Sequence, residues 1–209
     1  MTDFSRLSVD DFLAAVAAET PTPGGGTAAA IAGAMGAALA EMVAALTLSK
    51  EKYAASHAAV RPIAEAAPLA RAEFLTLARE DSEAYDEVVA ARRLPKETEE
   101  QKAERSRRIA AANLRAAEVP MRTARAAARL LAALPELAEK GNPNAVSDVG
   151  AAALLLDACV EGALLNVGIN LGGVEDAAVV SELQRDTAVL QEESQRLRSQ
   201  VVAAVRKRF

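Results

Sequence analysis

From Thr27 to Leu48 the chain reads TAAAIAGAMGAALAEMVAALTL, apolar on nearly every side and interrupted by one charge, Glu41. About 22 residues at 1.5 Å each give a helix of roughly 33 Å, which by length alone can cross a bilayer. The segment is nevertheless poor in Leu, Ile and Phe, and Ala29, Gly33 and Ala37 place small residues four apart, where another helix can approach closely. The pattern therefore predicts no membrane span. It predicts a helix buried at the centre of a soluble bundle or of its dimer.

Composition matters here because it says how such a helix must pack. Of 209 residues 51% are apolar, mostly alanine, while aromatics make up 3% and Trp is absent. Backbones must lie close together to fill the core, which favours helices over sheets. With this much apolar material a disordered tail protein is excluded. A single cysteine, Cys159, rules out an internal disulfide framework, and a single histidine, His57, argues against a zinc site, so no metal is expected and a reducing, cytoplasmic setting fits. The net charge of −5 speaks against a nucleic-acid partner. The opening MTDFSRLSVDD has no basic stretch before an apolar run, so no secretory signal is expected.

The rest of the chain punctuates itself. Ser8 and Asp11 cap a short helix whose Phe12, Leu13 and Val16 share a face. Thr20-Pro21-Thr22-Pro23-Gly24-Gly25-Gly26 is a loop. Helical periodicity from Ser56 to Ala91 is interrupted by Pro62 and Pro68, which should kink or restart it. Thr98 with Gln101 caps a long helix to about Leu134, bent at Pro120, and a short one reaches Lys140 before Gly141. Ser147-Asp148 opens a second very apolar helix to about Leu171, stopped by Gly172-Gly173. From Glu175 to Phe209, Val180, Leu183, Leu190, Leu197, Val201 and Ala204 approach a heptad seam despite Thr187 and Ser194. The expected fold is one all-α domain over 1–209, a helical bundle with two buried Ala/Gly-rich helices among longer amphipathic ones and no sheet.

Chemistry in such a chain falls to carboxylates, lysines or tyrosines in apolar surroundings. His57 reads as a solvated surface residue and Cys159 as a small core residue. The triple glycine is either a tight turn or a set of N–H groups facing an anion at a helix start, and it lacks the Lys-Ser/Thr of a nucleotide-binding loop. Asp81 and Tyr85 lie one turn apart beside Leu77 and Val88, although Glu83, Asp86 and Glu87 suit an ordinary solvated acidic face. Ser147 and Asp148 are placed to cap, and Lys50 and Lys52 suit the negative end of a helix.

Four blocks in order, PTPGGGTAAAIAGAMGAALAEMVAALTLSKEKY from Pro21, EDSEAYDEVVAARRLPK from Glu80, VPMRTA from Val119 and KGNPNAVSDVGAAALL from Lys140, resemble the cyclodeaminase/cyclohydrolase enzymes of folate one-carbon metabolism. The resemblance implies a soluble all-helical homodimer without metal or redox cofactor, acting on a tetrahydrofolate derivative. Either water attacks the 5,10-methenyl carbon to give 10-formyltetrahydrofolate, or N10 of 5-formimidoyltetrahydrofolate attacks the amidine carbon and ammonia leaves. Both need a positioned proton donor and acceptor, and a carboxylate can stabilise the cation.

On the family pattern Asp81 is the first candidate acid and Asp148 the second. The resemblance implies that Pro23, Gly24, Gly25 and Gly26 form a turn against the folate; by their charge Lys50 and Lys52 are expected to attract its glutamate tail, and Asn142, Asn144 and Ser147 to offer neutral hydrogen bonds. Ala45 stands where the family commonly carries Asn, which motivates a reading as a folate-binding protein without turnover. The seam of the last helix motivates a third, as a dimerisation scaffold. With no room for a formiminotransferase domain, a single activity is expected, cyclohydrolase ahead of cyclodeaminase.

Overall fold

A computed structural model describes residues 6–208. Seven α-helices are formed among the described residues: α1 (Val9–Val16), α2 (Gly25–Leu48), α3 (Ala54–Arg92), α4 (Glu99–Leu131), α5 (Leu134–Lys140), α6 (Val146–Leu171) and α7 (Ala177–Arg206). Among these residues there is no strand, and the fold is an all-α bundle. The core lies where α2 packs on α3 and α6, and α6 in turn on α4 and α7.

Small residues let the two Ala-rich helices close on each other. Going along α2, Gly25 faces Asn166, Ala29 faces Gly162, Gly33 faces Cys159 and Gly36 faces Leu156, so α2 and α6 run antiparallel. A methyl on Gly33 would lie 2.8 Å from the Cys159 sulfur and 2.9 Å from the Phe74 ring, nearer than packed carbon atoms tolerate. Cys159 is fully buried, as expected, and burial pushes its thiol up to about 12.

Prolines 62 and 68 do not interrupt α3, which continues through both. Each removes one N–H bond to the carbonyl four residues earlier, but Pro62 and Ala58 are exposed, so water satisfies the freed carbonyl there. α1 forms with its Ser8 cap, yet none of its residues is buried, and Leu13 and Val16 face outward rather than onto the bundle. The seam of α7 is buried at Leu183, Leu197 and Val201, and Ser194 fits it by donating to Asp157 Oδ1 at 2.6 Å.

The crowded acids of α3 divide by direction. Glu73, Glu80 and Glu87, seven residues apart, meet Arg129, Arg122 and Arg115 of α4, and Glu83 also reaches Arg115. Such surface pairs add little stability, but they fix the register of α3 on α4. Asp81 belongs to a different face and turns toward α2.

α2 and α6 each keep an apolar outer face. Met35 (50% exposed), Met42, Leu46, Leu154 and Leu165 (76%) face outward on the two helices. By length and composition both helices are apolar enough to cross a membrane, with 50% and 44% of their most apolar windows buried within the bundle.

Candidate active site

The first turn of α2 has no capping side chain of its own, since its N-cap is Gly24. That place is taken from outside the helix. Asp81 of α3 reaches the turn, and the Thr27 hydroxyl donates to its Oδ2 at 2.9 Å. Thr27 is fully buried, and its Oγ lies 3.0 Å from Ser82 Oγ. Because Thr27 has one hydroxyl proton and directs it at the carboxylate, Ser82 donates to Thr27 in turn. The start of α2 therefore does face an anion, the protein's own Asp81 carboxylate, but its donors come from Thr27, and of the three glycines only Gly26 lies against it.

Gly26 makes the approach possible: a Cβ there would stand 2.7 Å from Asp81 Cγ and 2.8 Å from Oδ2. Burial raises the Asp81 carboxyl above its ordinary value, while the Thr27 hydroxyl and, after it, the Thr27 backbone N–H pull it down. The result is a carboxyl in poor solvent held by fixed donors, the kind of setting in which acid–base groups occur.

Asp81 opens onto a cavity of about 360 Å³. Pro21, Thr22 and Gly24 to Gly26 form one wall, and Tyr85, Val88 and Arg92 continue from Asp81 along α3. The far wall is built by Asn113 of α4, Asn166, Ile169 and Asn170 of α6, and Gly173 beyond it. Each asparagine spends its NH2 on a backbone carbonyl: Asn113 on Gly173 at 2.7 Å, Asn166 on Gly162 at 2.8 Å and Asn170 on Ala116 at 2.6 Å. Pro120 explains the last bond, because it lacks the N–H that would otherwise occupy the Ala116 carbonyl. Among the described residues the three amide oxygens have no protein donor, so the wall presents hydrogen-bond acceptors to the cavity.

The other expected site residues lie elsewhere in the chain. Pro23 is buried behind the turn and joined to Thr22 by a cis peptide bond. Lys50, Lys52, Asn142, Asn144, Ser147 and Asp148 gather at the opposite end of α2, about 33 Å away at helical rise. Asn142 is a buried tie there: its N–H donates to Thr47 Oγ1 at 2.9 Å, and its Oδ1 accepts from Tyr53 Oη at 2.9 Å and from the Asn144 N–H at 3.1 Å. Lys52 Nζ sits 4.9 Å from the Tyr53 ring centre.

Neither Ser147 nor Asp148 caps α6, which begins beyond a 3-10 turn with Ala145 at its N-cap. His57 is half-buried, with Nε2 3.3 Å from the Lys50 carbonyl oxygen, rather than solvated. Ala45 is exposed on the outer face of α2, away from the cavity. Among the described residues no three His, Cys, Asp or Glu side chains converge on a point that could hold a metal.

Residues 8–189 match the model of the Formiminotransferase-cyclodeaminase family. The chain belongs to this family. It is 38% identical to a methenyltetrahydrofolate cyclohydrolase of Methylorubrum extorquens over 95% of this chain and 96% of that one. It is 36% identical to the formimidoyltransferase-cyclodeaminase of Sus scrofa, covering 87% of this chain but 34% of that protein, so the chain spans about a third of the longer relative. The crystal structure of a formiminotetrahydrofolate cyclodeaminase from Thermotoga maritima superposes with a TM-score of 0.86 at 33% identity, over 97% of both chains.

Of the residues singled out in the sequence, Asp81 and Gly24 to Gly26 line this cavity, and beside them stand Thr27, Ser82, Arg92, Asn113, Asn166 and Asn170, which the sequence reading did not single out. One signal was available: Asn166 and Asn170, one turn apart, are amides in an otherwise apolar helix.

Proposed function

We propose that this member of the family is a folate one-carbon enzyme that hydrolyses 5,10-methenyltetrahydrofolate to 10-formyltetrahydrofolate. The observation that carries the reading is the Asp81 carboxylate, desolvated, held by Thr27 and open to a cavity walled by glycines and amides. The ionised carboxylate accepts a proton from the attacking water as the C–O bond forms at the methenyl carbon. It then returns that proton to N5 as the C–N5 bond breaks, while the remaining hydroxyl proton leaves to solvent as the C=O forms, so the formyl group stays on N10 and one proton is released overall. Before attack, its charge offsets that of the methenyl cation. The three amide oxygens suit the amino and N–H groups of a reduced pterin.

Cyclodeamination of 5-formimidoyltetrahydrofolate is the second reading, favoured by the likeness to the Thermotoga maritima cyclodeaminase. The two are separated by supplying each substrate in turn and following the methenyl absorbance together with ammonia. Loss of that absorbance without ammonia is the expected result. Turnover of neither substrate at enzyme concentrations well above catalytic overturns both.

The outward apolar stripe of α2 and α6 supports a homodimer. An uncovered apolar face of this extent ordinarily meets a partner, and a two-fold pairing covers the same face on both copies. If the two α2 helices cross antiparallel, the end carrying Lys50, Lys52, Asn144 and Asp148 comes alongside the glycine turn of the other copy, joining residues that one chain holds apart. Light scattering of the detergent-free protein should give twice the 21.8 kDa of one chain. Met42→Glu with Leu154→Glu should return it to one chain. A wild-type protein that runs as a single chain, or that sediments only with membranes, removes the dimer.

A further inference from the structure

Asp81, Tyr85, Val88 and Arg92 stand at i, i+4, i+7 and i+11 on α3, so all four lie on one stripe of the helix, and all four line the cavity. Eleven residues of helix separate Asp81 from Arg92 by about 16 Å. A long side chain on a helix leans back over the preceding turn, which brings the Arg92 guanidinium several ångströms nearer to the carboxylate.

The neighbouring acids are already committed. Glu80 meets Arg122, and Glu83 and Glu87 meet Arg115. Arg92 alone among the cavity's residues is a cation, and among the described residues its side chain has no carboxylate partner. Its backbone is tied down, the carbonyl accepting from Arg105 at 3.1 Å.

We propose that Arg92 binds the glutamate carboxylate of the substrate and, with Asp81 at the reacting carbon, makes α3 a ruler for folate length. This rests on the folate reading above. From N10, a para-substituted benzoyl ring, an amide and the glutamate α-carbon reach a carboxylate in about 10–12 Å at ordinary bond lengths. That matches the span from Asp81 to a guanidinium leaning back from Arg92. Between them the flat ring lies over Tyr85 and Val88, an aromatic and an apolar side chain. Guanidinium suits this place because it grips a carboxylate through two parallel N–H bonds.

The test compares substrates with and without the glutamate. Arg92→Gln should raise KM for 5,10-methenyltetrahydrofolate about tenfold, the low end for losing a charge-assisted hydrogen bond, while kcat moves less than twofold. With the corresponding methenyltetrahydropteroate, which ends at the benzoate, wild type should already show the higher KM and the substitution should add nothing. Arg92→Lys should recover part of the loss. An equal penalty on both substrates, or none on either, overturns the anchor.

Calorimetry with tetrahydrofolate and tetrahydropteroate reads the same contact without turnover. Binding that discriminates the two through Arg92 in a protein that turns over neither substrate would keep the anchor and remove the reaction. Equal affinity for both ligands removes the anchor whatever the activity.

Discussion

Asp81→Asn should lower kcat by about 10²–10⁴-fold, the range a positioned acid–base group contributes, while the protein stays folded. The substitution keeps the shape and the oxygen that accepts from Thr27, and removes the charge together with the ability to take and return a proton. Stability should move the other way. Burial raises the folded-state pKa of the carboxyl above its ordinary 3.8, so just above that pH the folded protein holds a proton that the unfolded chain has already released. Stability then falls as pH rises from about 3.8 through the raised value, and above it the buried charge is a standing cost. At pH 7 the Asn variant should therefore melt at or above the wild-type temperature, with the gap closing on acidification. A variant that retains wild-type kcat ends the assignment of the proton to Asp81, and one that melts much lower at neutral pH shows the carboxylate to be a structural cap instead.

Gly26→Ala should damage both properties. The new methyl falls on the Asp81 carboxylate, 2.7 Å from its Cγ, so the carboxylate must move aside. Displacing the carboxylate breaks its bond to Thr27 and moves the acid within the cavity, so activity should drop at least about a hundredfold. Overpacking of this kind costs about 1–3 kcal/mol, which for a chain of this size lowers the melting temperature by roughly 2–10 °C. Gly25→Ala is the matched control, because its methyl would meet Asn166 Nδ2 at an ordinary 3.6 Å and stability should be unchanged. Adding Asp81→Ala to Gly26→Ala should restore melting but not activity, since the overlapping atoms are gone. Additive losses in that pair would mean that the two residues do not compete for the same space.

The contrast between these two variants also says what kind of site this is. The helix start that could have held a ligand phosphate holds an internal carboxylate instead. The Thr27 donors of α2 thus keep the acid ionisable in surroundings that raise it, and Gly26 permits the closeness of that contact. Gly26 thus has a role the sequence did not suggest, making room for Asp81.

Most helices were readable from the residues because they are specified locally, although α3 runs through the prolines expected to break it and α6 is not capped by Ser147 or Asp148. Alanine and glycine spacing marks α2 and α6, Thr98 with Gln101 marks the start of α4, and the seam marks α7, all within one or two turns of chain. Asp81 and the glycines were also legible, through the order of their blocks. Tertiary structure alone decided which acid turns inward. Glu80, Glu83 and Glu87 look no different from Asp81 in sequence, and they are drawn outward by arginines of α4 that lie 28 to 42 positions away. It also separated Lys50, Lys52, Asn142 and Asp148 from the cavity, since an antiparallel pair of long helices puts its two ends far apart however similar they look in composition. And it gathered Arg92, Asn113, Asn166 and Asn170 from three helices. The physical reason is one of range: helix formation is settled by neighbours three and four residues apart, whereas a cavity is made by side chains whose only relation is the packing of the helices that carry them.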